Sequence, residues 1–297
     1  MEWGKLDDPR DVDFTLPSDP IDYSNKWGGS EADDFLIYVG YANLSKVELK
    51  GFYPKGTKEL LPYYSSQLNA IEFNATFYKD FPKEQLEKWR CQTMGDFKFF
   101  PKVPRTISHD KKLHPDASPL VRSYVHSIQH FGSKLGIPFL QMSKTFTPHN
   151  GFYLKQFIEN WPTDVPLAIE LRHKDWYRNP GVSNRLYDLL EAHKVTHIIT
   201  DTPGKRELLH MRLTSKTAFI RFVASELSAD YQRMDDWIER IFTWKKLGLA
   251  QVCFFIHQDV QKTKPFLAHY LIPKINEVFK TSLKLPTHDY HQPNLFT

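Results

Sequence analysis

The chain has 297 residues, 41% hydrophobic and 25% charged, enough apolar mass for one large domain. Its formal charge of +4 is too close to balance for a dedicated nucleic-acid binder, and two cysteines with no CxxC pair argue against a disulfide framework or a thiolate metal site. The start, MEWGKLDDPRD, lacks an apolar h-region and no run approaches 18 apolar residues, so the expectation is a cytoplasmic protein without a membrane span.

Residues 1–34 are polar, acidic and proline-bearing, and read as an irregular N-terminal arm. From Asp34 onward, short apolar runs alternate with helical patterns. Eight strands are expected, at 35–41, 70–76, 98–103, 139–143, 167–173, 197–201, 218–223 and 252–258. Helices are expected at 57–68, 83–92, 118–134, 150–160, 183–193, 232–247 and 264–280. In the clearest of them Trp237, Ile241 and Trp244 recur at helical spacing, acids come first, Lys245 and Lys246 come late and Gly248 closes it. The segment 205–212, after the sixth strand, has the weakest helical pattern. Strand alternating with helix implies a parallel sheet, and eight such units point to a single-domain TIM (β/α)8 barrel over 35–285, with a short tail at 286–297. A doubly wound open sheet is the alternative, because periodicity does not report closure.

Side chains alternate faces along a strand. In LAIELRHKDWY (167–177), Ala168, Glu170 and Arg172 share a face opposite Ile169 and Leu171. The run 70–76 repeats the layout, with Ala70, Glu72, Asn74 and Thr76 opposite Ile71 and Phe73. If the apolar faces meet the helices, the polar ones point into the barrel. The same parity adds Lys102, Gln141, Asp201, Arg221 and His257, and Arg105 follows the third strand. Active sites of such barrels lie at the C-terminal ends of the strands.

Glu72, Glu170 and Asp201 are therefore the expected catalytic acids. Asn74, Thr76, Lys102, Arg105, Gln141, Arg172, His173, Trp176, Arg221 and His257 are the expected substrate-binding set. For each, a structural reading stands beside the functional one: Glu170 with Arg172 as a buried ion pair, Asn74 and Thr76 as a hydrogen-bonded plug, Trp176 and Tyr177 as loop packing. Convergence from at least six strands favours a site. The bases favour an anion, a phosphorylated small molecule or a nucleic-acid phosphodiester, and a buried glutamate whose pKa rises would serve as acid or base. Arg172 and Lys102 in the same mouth disfavour a metal ion, and no P-loop, GxGxxG or GxSxG is present, so neither metal nor cofactor is expected. A metal-independent hydrolase or lyase is the leading reading, and a non-catalytic nucleic-acid-binding module the alternative. No membrane partner is expected, and oligomeric state is not readable.

The stretches GFYP (51–54), IEFNATFY (71–78), FKFFPKVPRTISH (97–109), FLQM (139–142), IELRHKDWY (169–177) and IITD (198–201), together with the strand of Arg221, resemble in order the YecE-like family, domain of unknown function 72. The resemblance spans roughly residues 35–280. It implies a TIM-barrel-like fold, similar to xylose-isomerase-like and endonuclease-IV-like enzymes, and implies no reaction. The metal-binding His and acid set of those enzymes is not evident here. The sequence departs at VGYANLS, where a serine-glycine-tryptophan type of turn is common, and at Ile256-His257-Gln258, where an asparagine-rich strand end is frequent.

Overall fold

Each of the eight apolar runs forms a strand, since β-branched and aromatic side chains suit a parallel sheet buried on both faces. In a computed structural model, which describes residues 4–31, 34–258 and 266–287, these are β1 (Leu36–Tyr41), β2 (Ala70–Phe73), β3 (Lys98–Pro101), β4 (Phe139–Gln141), β5 (Ala168–Glu170), β6 (Thr196–Asp201), β7 (Thr217–Val223) and β8 (Gln251–His257). The helices are α1 (Tyr23–Trp27), α2 (Leu60–Gln67), α3 (Ala75–Tyr78), α4 (Lys83–Gln92), α5 (Ser118–Ile128), α6 (Gly151–Glu159), α7 (Asp175–Arg178), α8 (Pro180–Ala192), α9 (Ala229–Lys246) and α10 (Leu267–Phe279). Strand β2 is shorter than expected: Asn74 adopts a helical conformation and the chain turns directly into α3, taking Thr76 off the sheet. Residues 288–297, most of the expected tail, lie outside the described residues.

The fold is a (β/α)8 barrel. Strands run parallel in the hydrogen-bonded order β1-β8-β7-β6-β5-β4, and β2 pairs with β3. Two seams join these sheets. Between β3 and β4, isolated parallel bridges link Phe99 to Leu135 and Lys102 to Phe139. Between β1 and β2, side chains replace the ladder. Asn69 accepts from Val39 N at 2.8 Å and donates to Ile37 O at 2.7 Å. The Tyr64 hydroxyl accepts from Tyr41 N at 2.6 Å and donates to Ala70 O at 3.2 Å. Gly40 permits this approach, since a Cβ there would lie 2.0 Å from Ala70 O.

Inside the barrel, Ala70, Phe100, Phe139, Ala168, Ile198, Phe219, Cys253 and Phe255 form an apolar cluster, with Tyr38 against it. Phe100 and Phe219 each pack edge or tilted against Phe255, with centroids at 4.9 and 5.2 Å. This aromatic layer makes the lower barrel a packed core rather than a pore.

The helix layer is incomplete after β6, where only a 3-10 segment, Pro203–Leu208, precedes β7 among the described residues. The N-terminal arm fills the gap. Gly4 O accepts from Gly204 N and from Thr202 Oγ1 at the C-terminal end of β6. The Phe14 ring lies 4.5 Å from the Arg233 guanidinium, whose other face meets Phe222 at 4.2 Å. Arg240 and Trp244 of α9 bind Asp19 at 2.8 and 2.9 Å, and Lys26 pairs with Glu191 of α8. Tyr23 of α1 donates to Met211 O at 3.0 Å and accepts from Leu213 N at 2.7 Å, just before β7. The arm thus descends the outside of the barrel from mouth to base, in the place a sixth barrel helix would hold.

Candidate functional site

Two residues beyond the apolar layer, the inward face of seven strands turns polar. Ala70 gives way to Glu72, Phe100 to Lys102, Phe139 to Gln141, Ala168 to Glu170, Ile198 to Thr200, Phe219 to Arg221 and Phe255 to His257. Period-two alternation in register across parallel strands builds this ring. Arg221 is its hub. Its Nε and one terminal nitrogen each donate to Glu72 at 2.9 Å, and the other donates to Glu170 Oε2 at 2.6 Å. Arg172 Nε donates to Glu170 Oε1 at 2.7 Å. Gln141 donates to Glu170 Oε2 at 2.8 Å and accepts from Lys102 Nζ at 2.8 Å. Glu72 is further met by His257 Nε2 at 3.0 Å and Asn74 Nδ2 at 3.0 Å.

Burial would push both carboxyls up, but the guanidinia outweigh it. Glu72 is held well below its usual value by Arg221 and His257, and Glu170 is held down to about 2 by Arg172 and Arg221. Neither is raised toward neutrality, contrary to the expectation for a buried general acid. Burial also lowers His257, although Glu72 pulls it upward, so the neutral imidazole is favoured and its Nε2–H donates to the carboxylate. Lys102 is pulled down to about 7, first by burial and then by Arg221. Among the described residues, no carboxylate lies within the 4 Å ion-pair distance of its Nζ, because Glu72 and Glu170 are engaged by the arginines.

Above this ring opens a pocket of about 720 Å³, lined by Glu72, Asn74, Lys102, Gln141, Arg172, Thr200, Arg221 and His257. It also includes residues the sequence reading did not single out: Asn43, Ser45 and Glu48 after β1, Tyr78 of α3, Gln258, and Lys5 from the arm. Loop and arm residues carry no periodic signal, so only the fold reveals them.

Five expected residues are placed elsewhere. Asp201 faces the helix layer, where it binds Arg206, Arg233 at 2.9 Å and Trp237 Nε1 at 2.8 Å, and Thr200 takes the inward position. Trp176 donates to Phe146 O at 2.8 Å and stacks on the Phe146 ring. Arg105 is exposed and pairs with Asp110. His173 accepts from Asp175 N at 3.2 Å. Thr76 donates to Lys102 O at 2.8 Å, supporting the lysine's backbone from behind. Among the described residues, no group of three or more His, Cys, Asp or Glu is placed to hold a metal ion, and no helix is long and apolar enough to cross a membrane.

A family model described as "Protein of unknown function DUF72" matches residues 38–290. The UPF0759 protein YecE of Escherichia coli (strain K12) is 25% identical over 258 residues, 80% of this chain and 91% of that protein. The UPF0759 protein YunF of Bacillus subtilis (strain 168) is 26% identical over 182 residues, 57% of this chain and 61% of that protein. Among solved structures, a DUF72 family protein from Enterococcus faecalis V583 superposes with a TM-score of 0.65 at 20% identity, covering 84% of this chain and 100% of that one. One from Thermotoga maritima MSB8 gives 0.61 at 21%, covering 83% and 100%. At these identities the solved structures speak for the fold.

Proposed function

The chain belongs to the DUF72 family of proteins of unknown function, and we propose that its mouth pocket binds a phosphate-bearing small molecule and acts on it as a metal-independent hydrolase or lyase. The supporting observation is Lys102, a cation-forming side chain on the pocket wall with no carboxylate in ion-pair contact among the described residues. Among the described residues, Lys5, Lys102, Arg172 and Arg221 line the pocket against Glu48 and Glu72, with Glu170 directly behind, four bases to three acids. The side chain of Arg172 is 17% exposed, against 6% for Arg221, so Arg172 is the guanidinium a ligand reaches first. Proton transfer falls to Lys102, which is pulled down to about 7, and to the neutral imidazole of His257, rather than to the two ionised glutamates.

Inorganic phosphate seated against Lys102 favours its charged form, so its binding takes up a proton. Calorimetry with inorganic phosphate should show uptake of about one proton near pH 8 and affinity falling about tenfold per pH unit above 7. Arg172→Ala should weaken binding by about 1.5–3 kcal/mol, the loss of a charge-assisted hydrogen bond. Absence of phosphate binding to the unmodified protein at low salt would sink the proposal.

A second reading is a nucleic-acid-binding module. The loops after β3, β4 and β5 present Arg105, Lys111, Lys112, Lys144 and Lys174 around the mouth, against Asp110, Asp116 and Asp175. It predicts DNA or RNA binding that falls steeply with salt and is indifferent to Arg172→Ala.

A further inference from the structure

We propose that Lys102 is a nucleophile that forms an imine with its substrate, which makes the ligand a phosphorylated aldehyde or ketone. This rests on the anion-binding reading above and narrows it to carbonyl chemistry.

The geometry of the amine carries the inference. Lys102 follows directly on β3, and its backbone is fixed by the bridge to Phe139 and by the bond from Thr76. Its Nζ donates to Gln141 Oε1 at 2.8 Å, and Gln141 is held in turn by Glu170 at 2.8 Å. The Phe77 ring lies 4.2 Å from Nζ and the Phe139 ring 5.9 Å. The side chain is therefore oriented, 8% exposed and in an apolar contact, yet on the wall of an open pocket. Gln141 accepts one N–H, and in the neutral amine that bond leaves the nitrogen lone pair unused. Burial and the positive charge of Arg221 then favour the neutral amine, consistent with its titration at about 7. Lysines made nucleophilic by desolvation and a neighbouring cation are a general device for attacking carbonyls.

The step balances. The Nζ lone pair forms a bond to the carbonyl carbon, and the oxygen takes the proton that the nitrogen gives up. The resulting hydroxyl leaves as water with the second nitrogen proton, so a C=N bond replaces C=O. Nothing is oxidised or reduced. Arg172 is placed to take the phosphate, and the neutral His257 imidazole, whose Nε2–H rests on Glu72 in the same pocket lining, moves protons at the adduct.

The test is reductive trapping on the full-length protein. Glyceraldehyde 3-phosphate is added at pH 7 with sodium borohydride, and the modified lysines are mapped by peptide mass spectrometry. A lysine of ordinary pKa is less than about one part in a thousand unprotonated at this pH, so Lys102 should be modified on the order of 100-fold faster than exposed lysines. Excess inorganic phosphate should suppress that adduct. Lys102→Arg should lose the adduct, and Lys102→Met serves for the same readout if the arginine does not fit. If phosphate binds with the expected pH dependence but the label is absent from Lys102, or no faster there than on exposed lysines, the imine is overturned and the anion site stands. If neither phosphate binding nor a Lys102 adduct is seen, both fall.

Discussion

Arg221 holds Glu72 by two hydrogen bonds of 2.9 Å each, from β7 to β2 across the barrel interior. Paired donation of this kind to a carboxylate that is 0% exposed fixes both side chains and spends both oxygens. It also makes either partner hard to lose. Arg221→Met would leave Glu72 and Glu170 short of a counter-charge and should cost about 3–5 kcal/mol in chemical denaturation. The double change Arg221→Met with Glu72→Gln should recover part of that, because a buried pair replaced together loses its desolvation penalty as well.

The same network makes stability depend on pH in two windows of the same sign. Glu170 titrates at about 2 when folded, and Glu72 also lies well below the ordinary carboxylate value near 4.3. The unfolded chain binds more protons between these values, so the stabilisation is present above about pH 4 and is lost as pH falls toward 2. Glu170→Gln should flatten the acid limb of a plot of denaturation midpoint against pH.

Lys102 gives the upper window. Its folded value of about 7 lies below that of a free lysine, so the unfolded state again holds the extra proton between about 7 and 10.4. Stability should rise across that range, and Lys102→Met should remove the rise while adding on the order of 1–4 kcal/mol at pH 7. A flat profile in the unmodified protein would contradict this titration.

Asp201 separates fold from site. It binds Arg206, Arg233 and Trp237 outside the strands, and Arg206 also donates to the carbonyls of Phe14 and Thr15 in the arm at 3.1 and 3.0 Å. Asp201→Asn should lower stability by about 3–5 kcal/mol and leave phosphate affinity unchanged, whereas Arg172→Ala should weaken phosphate binding. Equal effects of Asp201→Asn on both would place the residue in the site after all.

The β1–β2 seam depends on one side chain in much the same way. Asn69→Ala removes the partner of Val39 N and of Ile37 O, two backbone groups the ladder does not satisfy there. A loss of about 1–3 kcal/mol per stranded group is expected, with faster amide exchange at Val39 as the local readout.

The eight strands were legible because each carries a run of branched or aromatic side chains at sheet length between helical patterns. Glu72 and Glu170 were legible because β2 and β5 are polar on one face only. Strand β6 gives no such asymmetry. Ile198 and Ile199 occupy opposite faces, and polar Thr200 and Asp201 follow in sequence, so alternation alone does not choose which points inward. The structure chooses Thr200. The balance of charges at Glu72 and Glu170 was equally hidden, since burial and pairing act in opposite directions and only distances decide between them. Asn43, Ser45 and Lys5 were beyond reach for another reason: their place depends on where a loop and an arm come to rest.

The arm binds the order of synthesis to the order of assembly. Gly4 docks against Thr202, 198 residues later in the chain, and Tyr23 against Met211, 188 residues later. The arm thus has no partner until six strands have followed it in the chain, and it docks among the last. Closing so long a loop is a slow, entropically costly event. Until it happens, the groove between α8 and α9 lies open, and the face of the Arg233 guanidinium that Phe14 caps stays uncovered in the unfinished barrel.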